Sequence, residues 1–226
     1  MRQCIVITDS NGEGATEDSI KSHVPRRERE KHKVEVKTAY TMEEAYDRID
    51  DGNNGNTNAG RKIDVRGAVV VVDCLTNDAR GSWRRTALNP EELTQQVHRL
   101  RCRMLAAGAV AVITCYLKPM EVRDVRPYNA ILLEYLRAMG PTGFGCQTQV
   151  RIKDLDSRDG FHVLPQVKSV LDRTYAFAIM GLPVPCPTVE GDFIPTQVRR
   201  NYEAQWPRVG ADQRRGVRAQ FGHHGW

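Results

Sequence analysis

The sequence contains no run approaching the roughly 20 continuous apolar residues that a membrane-spanning helix requires. Its opening, Met-Arg-Gln-Cys-Ile-Val-Ile-Thr-Asp-Ser, passes from one short apolar stretch directly into polar residues and is read as neither signal peptide nor anchor. There is no CxxC pair among Cys4, Cys74, Cys102, Cys115, Cys146 and Cys186, and several of them lie inside apolar runs, where a thiol packs as a small hydrophobe. Reduced, buried thiols are therefore expected, in an intracellular, cytoplasmic compartment, rather than a disulfide framework. His223 and His224 lack companions at ligand spacing, so no metal site is expected, and no motif calls for a cofactor. A GxGxxG fingerprint and a P-loop are both missing. Asn11-Gly12-Glu13-Gly14 is too short and too acidic to cradle phosphate, which argues against a nucleotide-binding domain. The net charge of +5 permits nucleic-acid contact without demanding it.

What is present is the material of one folded domain with a tail. The 226 residues are 40% hydrophobic and 27% charged, the balance of a globular chain with a full-sized core. Apolar runs of strand length occur at Cys4–Thr8, Val34–Val36, Ala68–Cys74 and Ala109–Tyr116, with a weaker one near Gln147–Ile152. Helical patterns separate them. Asn89-Pro90-Glu91-Glu92 joins a capping side chain, a proline suited to the first turn and two acids at the positive end of the dipole. Leu93, Val97, Leu100 and Met104 then recur on one face, and Gly108 ends the segment. Thr41-Met42-Glu43-Glu44 starts a second helix running to about Asp50. A third carries Tyr128, Ile131, Leu132, Tyr135 and Met139, and a fourth follows Pro165 with Val167, Val170 and Leu171 turned inward. This alternation predicts an α/β three-layer sandwich: a parallel five-stranded sheet with helices on both faces. The unbroken Ala68-Val69-Val70-Val71-Val72 suits a central strand covered on both sides.

In such folds ligands bind beyond the carboxyl ends of the strands, and three polar blocks fall there. The first strand ends in Thr8-Asp9-Ser10-Asn11-Gly12. The central strand ends in Asp73-Cys74-Leu75-Thr76-Asn77-Asp78. Asp156-Ser157-Arg158-Asp159-Gly160-Phe161-His162 precedes the last helix. Alone, each reads as a cap or turn. Their order along the chain, Ser, then Asn-Asp, then Asp-x-x-His, resembles the SGNH (GDSL-like) hydrolase family over about residues 1–180. The resemblance is carried by Ile5-Val6-Ile7-Thr8-Asp9-Ser10, Thr76-Asn77-Asp78-Ala79 and, best of all, Asp159-Gly160-Phe161-His162-Val163-Leu164-Pro165.

That resemblance implies an SGNH-hydrolase or flavodoxin-like sheet and a serine esterase or acyl hydrolase acting on a small ester. Ser10 would be the nucleophile, His162 the general base and then acid, and Asp159 the group orienting the imidazole. The backbone N–H of Ser10, the Asn77 amide and a backbone N–H from Ala39 or Tyr40 would form the oxyanion hole. The chemistry agrees, because a serine hydroxyl needs a base to become nucleophilic, and an imidazole ordinarily titrates near 6.5. Three glycines of the family pattern are absent. Thr8 and Leu75 occupy two of their places, and Lys37-Thr38-Ala39-Tyr40-Thr41 contains none.

Residues 1–181 are assigned to this domain and 182–226 to a proline-rich exit and tail. The tail carries Arg199, Arg200, Arg208, Arg214, Arg215 and Arg218 among Tyr202, Trp206, Phe221 and Trp226. Arginine pairs with phosphate and aromatics stack on bases, so Arg199, Arg200, Arg214, Arg215 and Trp206 are the residues expected to meet RNA. A solvated tail accounts for the same composition. The alternative to an enzyme is a catalytically silent SGNH-like module that binds RNA or a protein, as the RNA-binding domain of the Oskar protein resembles. Two further loops, Trp83-Arg84-Arg85 and Lys118-Pro119-Met120, are candidates for the cleft rim.

Overall fold

The structure, a computed structural model, describes residues 1–50, 62–81, 85–148 and 150–180. The chain divides into two units, Met1–Thr188 and Val189–Trp226, and every described residue belongs to the first. The expected tail, 182–226, lies outside the described residues.

In chain order the elements are β1 (Arg2–Thr8), α1 (Glu17–Ser22), α2 (Arg26–Arg29), β2 (His32–Thr38), α3 (Met42–Arg48), β3 (Val69–Asp73), α4 (Thr76–Arg80), α5 (Pro90–Ala106), β4 (Ala111–Cys115), α6 (Arg126–Ala138), β5 (Phe144–Cys146) and α7 (Ser169–Ile179). The five strands form one sheet in the order β2-β1-β3-β4-β5, and every pair is parallel. The expected α/β architecture is present. Chain order reverses direction across the sheet between β1 and β3, whose carboxyl ends carry Ser10 and Asp73–Asp78. That reversal is where doubly wound sheets open a crevice.

Alternation along the strands sorts the core into two layers. Cys4, Val6, Val69, Val71, Ile113 and Cys115 pack with Ile20 of α1 and Leu171 and Tyr175 of α7. Ile5, Ile7, Val70 and Val72 point the other way and are also buried, as are Leu93, Val97, Leu100 and Met104 of α5. On that side α5 lies against both α3 and α6. Each such aliphatic side chain removed from water contributes about 1.5–3 kcal/mol, so the sheet is held from both faces and its strand ends are firm anchors.

Helix α5 begins as the sequence predicts: Asn89 Oδ1 accepts from Glu92 N–H at 2.9 Å, and the Glu92 carboxylate accepts from Asn89 N–H at 2.9 Å. Three expectations shift. The fifth strand is Phe144–Cys146 rather than Gln147–Ile152. Val150 is buried, but Arg151 and Ile152 are exposed and no ladder forms there among the described residues. Helix α3 stops at Arg48 because Ile49 turns extended and bridges Ile63. The thiols are free among the described residues, but Cys102 is exposed on α5, where only one face of the helix is buried. Cys186 is outside the described residues. No helix among those described is long and apolar enough to cross a membrane.

Candidate active site

The Ser10 loop leaves β1 through a turn closed by Asp9. Its Oδ1 accepts from Asn11 N–H at 2.8 Å, and its carbonyl accepts from Gly12 N–H at 3.2 Å. Thr8 stands where the resemblance leads one to expect a glycine, and the turn makes room for it elsewhere. A side chain on Gly12 would put its Cβ 2.1 Å from Thr8 Oγ1. The space a small residue at position 8 would leave is thus supplied by position 12.

At the far end of the chain, Asp156–His162 forms a second tight loop. Gly160, at φ +66°, donates its N–H to Asp156 O at 2.8 Å, a left-handed conformation suited to glycine. The loop folds back so that Asp159 Oδ1 accepts from the N–H groups of Phe161 and His162, each at 3.0 Å. Asp159 Oδ2 accepts from His162 Nδ1–H at 2.7 Å, which leaves Nε2 as the acceptor for the Ser10 hydroxyl at 2.9 Å. Burial acts to raise the Asp159 carboxyl, but the hydrogen bonds from His162 and Phe161 outweigh it and hold it below the usual carboxylate range. Asp159 therefore accepts as a carboxylate at neutral pH, and this fixes the imidazole tautomer that serine activation requires. Ser10, His162 and Asp159 meet at the distances that proton transfer needs.

One side chain ties the two loops together. Asn11 Oδ1 accepts from Val163 N–H at 2.8 Å, joining the residue after Ser10 to the residue after His162. Asn11 is almost fully buried, so this strut is shielded from competing water. Its place beside the serine was visible in the sequence, but nothing there indicated its partner.

The backbone and side-chain N–H groups expected to form an oxyanion hole divide. Asn77, in the first turn of α4, donates one amide N–H to Tyr40 O at 2.9 Å. That bond places nitrogen rather than oxygen at the loop, and the second N–H has no acceptor among the described residues. The Ser10 backbone N–H is likewise without an acceptor among them. Ala39 is a correction: its N–H donates to Thr8 O at 2.8 Å, extending the β1–β2 ladder by one rung. Tyr40 cannot substitute, because its N–H donates to Glu44 Oε2 at 2.9 Å at the start of α3. Two donors remain of the three expected.

Beneath the site lies a buried polar network that sequence reasoning missed. Lys118 Nζ is 2.6 Å from Asp73 Oδ1, and both side chains are almost fully buried. Tyr175 OH donates to Asp73 Oδ2 at 2.6 Å and lies 3.2 Å from Thr8 Oγ1. Burial acts to lower the Lys118 ammonium, but Asp73 and Asp9 outweigh it and hold it above its ordinary range. Burial pushes the Asp73 carboxyl up while Lys118 draws it back. The short contact is that of an ammonium with a carboxylate. Lys118 is thus a correction as well: it faces the interior, not the cleft rim. The only signal available was an acid and a base standing at the ends of two apolar strands.

Asp78, next to Asn77, accepts from Met42 N–H at 2.8 Å. Burial pushes its carboxyl up to about 6, against the pull of that hydrogen bond and of Arg85. An unfolded aspartate titrates near 3.9, so between these values the folded chain keeps a proton that the unfolded chain has released. Raising pH through this window therefore lowers stability, by up to about 3 kcal/mol from this group, and the loss persists above it. Asp78→Asn retains the acceptor for Met42. It is expected to be more stable than wild type by about 1–3 kcal/mol at pH 7.5, with the difference shrinking toward pH 4; urea denaturation at several pH values measures it.

No family model matches the chain, and no curated protein does. Among the described residues no cluster of His, Cys, Asp or Glu is suited to hold a metal ion. Arg85 is bound to Glu43 at 2.9 Å, while Trp83 and Arg84 lie outside the described residues. The residues expected to meet RNA, Arg199, Arg200, Trp206, Arg214 and Arg215, also lie outside them.

Proposed function

We propose that this protein is a serine hydrolase of SGNH type that cleaves small carboxylic esters through an acyl-enzyme. The observation that carries the proposal is the continuous hydrogen-bonded chain from Ser10 Oγ through the His162 imidazole to Asp159. His162 Nε2 takes the hydroxyl proton as Ser10 Oγ attacks the ester carbonyl. The carbonyl oxygen becomes an oxyanion facing the Ser10 N–H and the Asn77 amide. The ester C–O bond then breaks, the alcohol leaves with the proton held by His162, and the acyl group stays on Ser10. Water repeats the sequence: His162 takes its proton, hydroxide adds to the acyl carbon, and the carboxylic acid departs as Ser10 recovers a proton.

Purified full-length protein is expected to hydrolyse short p-nitrophenyl esters, and a rate no greater than that of buffer would overturn the proposal. With two donors instead of three, each carries more of the oxyanion's charge. Asn77→Ala is therefore expected to lower kcat by about 100- to 1,000-fold with a smaller change in KM, read from initial rates on p-nitrophenyl acetate. A loss below threefold would remove Asn77 from the hole.

The engaged amides of Ala39 and Tyr40 favour a second reading, a silent binding module that keeps the site's form without turnover. RNA contact through Arg199, Arg200, Trp206, Arg214 and Arg215 belongs with that reading.

A further inference from the structure

Arg80 closes α4, three residues after Asn77, so the two share one face of the helix. Its guanidinium carbon lies 3.8 Å above the centre of the Phe161 ring. Phe161 in turn lies 3.9 Å from the His162 ring, centre to centre, with the planes tilted by 39°. The positive charge is therefore held two stacked contacts from the base, on the helix that carries the oxyanion amide.

Stacking occupies the faces of a guanidinium and leaves its edge, where the N–H groups are, free to donate. Among the described residues no carboxylate, carbonyl or hydroxyl accepts from Arg80. Four other arginines near this end of the sheet differ. Arg85 is 2.9 Å from Glu43, Arg126 is 2.7 Å from Asp124 and Arg158 is 2.5 Å from Asp156. Arg123 donates to Tyr128 OH at 2.7 Å. The nearby Asp159 has both oxygens engaged by its own loop. A half-buried fork of donors, fixed in place by an aromatic ring and beside the reacting groups, matches an oxyanion such as a carboxylate or phosphate.

We propose that Arg80 receives an anionic group of the ester cleaved at Ser10, so that the preferred substrates are esters bearing a carboxylate or phosphate near the scissile bond. The substrate class rests on the hydrolase reading, but the anion site can be read separately. Two substrate pairs place the charge on either side of the ester: mono-p-nitrophenyl succinate against p-nitrophenyl butyrate, and butyryl glycerol phosphate against monobutyrin. The wild-type protein is expected to favour the charged member of at least one pair in kcat/KM by roughly tenfold or more. Arg80→Met, which keeps a long side chain over Phe161, is expected to bring that ratio close to one. Arg80→Lys, a point charge without the fork, should retain part of it.

In parallel, amide NMR of Ser10→Ala follows succinate and glycerol phosphate. Shifts around α4 and Phe161 are expected, and they should vanish when Arg80→Met is added to a chain whose spectrum remains dispersed. Ester cleavage with ratios indifferent to Arg80→Met would overturn the anion site and leave the hydrolase. Anion binding through Arg80 with no cleavage of any ester would support the site and overturn the hydrolase.

Discussion

Replacing Ser10 by alanine is expected to abolish ester hydrolysis, lowering kcat on p-nitrophenyl acetate by about 10⁴-fold or more. Ser10 Oγ is the only hydroxyl that His162 Nε2 receives among the described contacts, at 2.9 Å, so the imidazole keeps its tautomer but has nothing to activate. The alanine variant should fold as wild type does, because the loop is closed by Asp9 and Asn11, whose hydrogen bonds do not involve the serine side chain. The residual rate then comes from positioning and the oxyanion donors. Equal rates for the two proteins would place any esterase activity elsewhere on the surface.

The largest effect on stability is expected at Lys118. Methionine is close to lysine in size but cannot compensate Asp73, which is almost fully buried with Tyr175 as its other side-chain partner. Removing one member of a buried ion pair costs about 3–5 kcal/mol, because the other is left charged without compensation or must take up a proton. Lys118→Met should lower the urea midpoint accordingly, and adding Asp73→Asn should restore part of the loss. A change below about 1 kcal/mol would mean that Asp73 is already protonated in the folded chain.

Strand and helix order were legible because the signals are local. The unbroken valines of β3 and the Asn89 cap need no partner to be interpreted. The Ser10, Asn77, Asp159 and His162 blocks were legible through their order, which the parallel topology turns into proximity. What stayed hidden depends on pairing across the chain. That Ala39 N–H is consumed by Thr8 O follows from the β1–β2 register. The partnership of Lys118 with Asp73 requires knowing that β3 and β4 are neighbours. Phe144–Cys146 is too short for periodicity to reveal, and α1, α2 and α4 have at most six residues each, less than two helical turns.

The strut from Asn11 to Val163 and the contact of Ser10 with His162 each span 152 residues of sequence. Between Ser10 and His162 lie β2, β3, β4 and β5, so the two loops can meet only after the whole sheet has been synthesised. On the proposed hydrolase reading, a nascent or prematurely terminated product lacking residue 162 carries the serine with no base to arm it. On that reading the long separation keeps an incomplete copy hydrolytically silent.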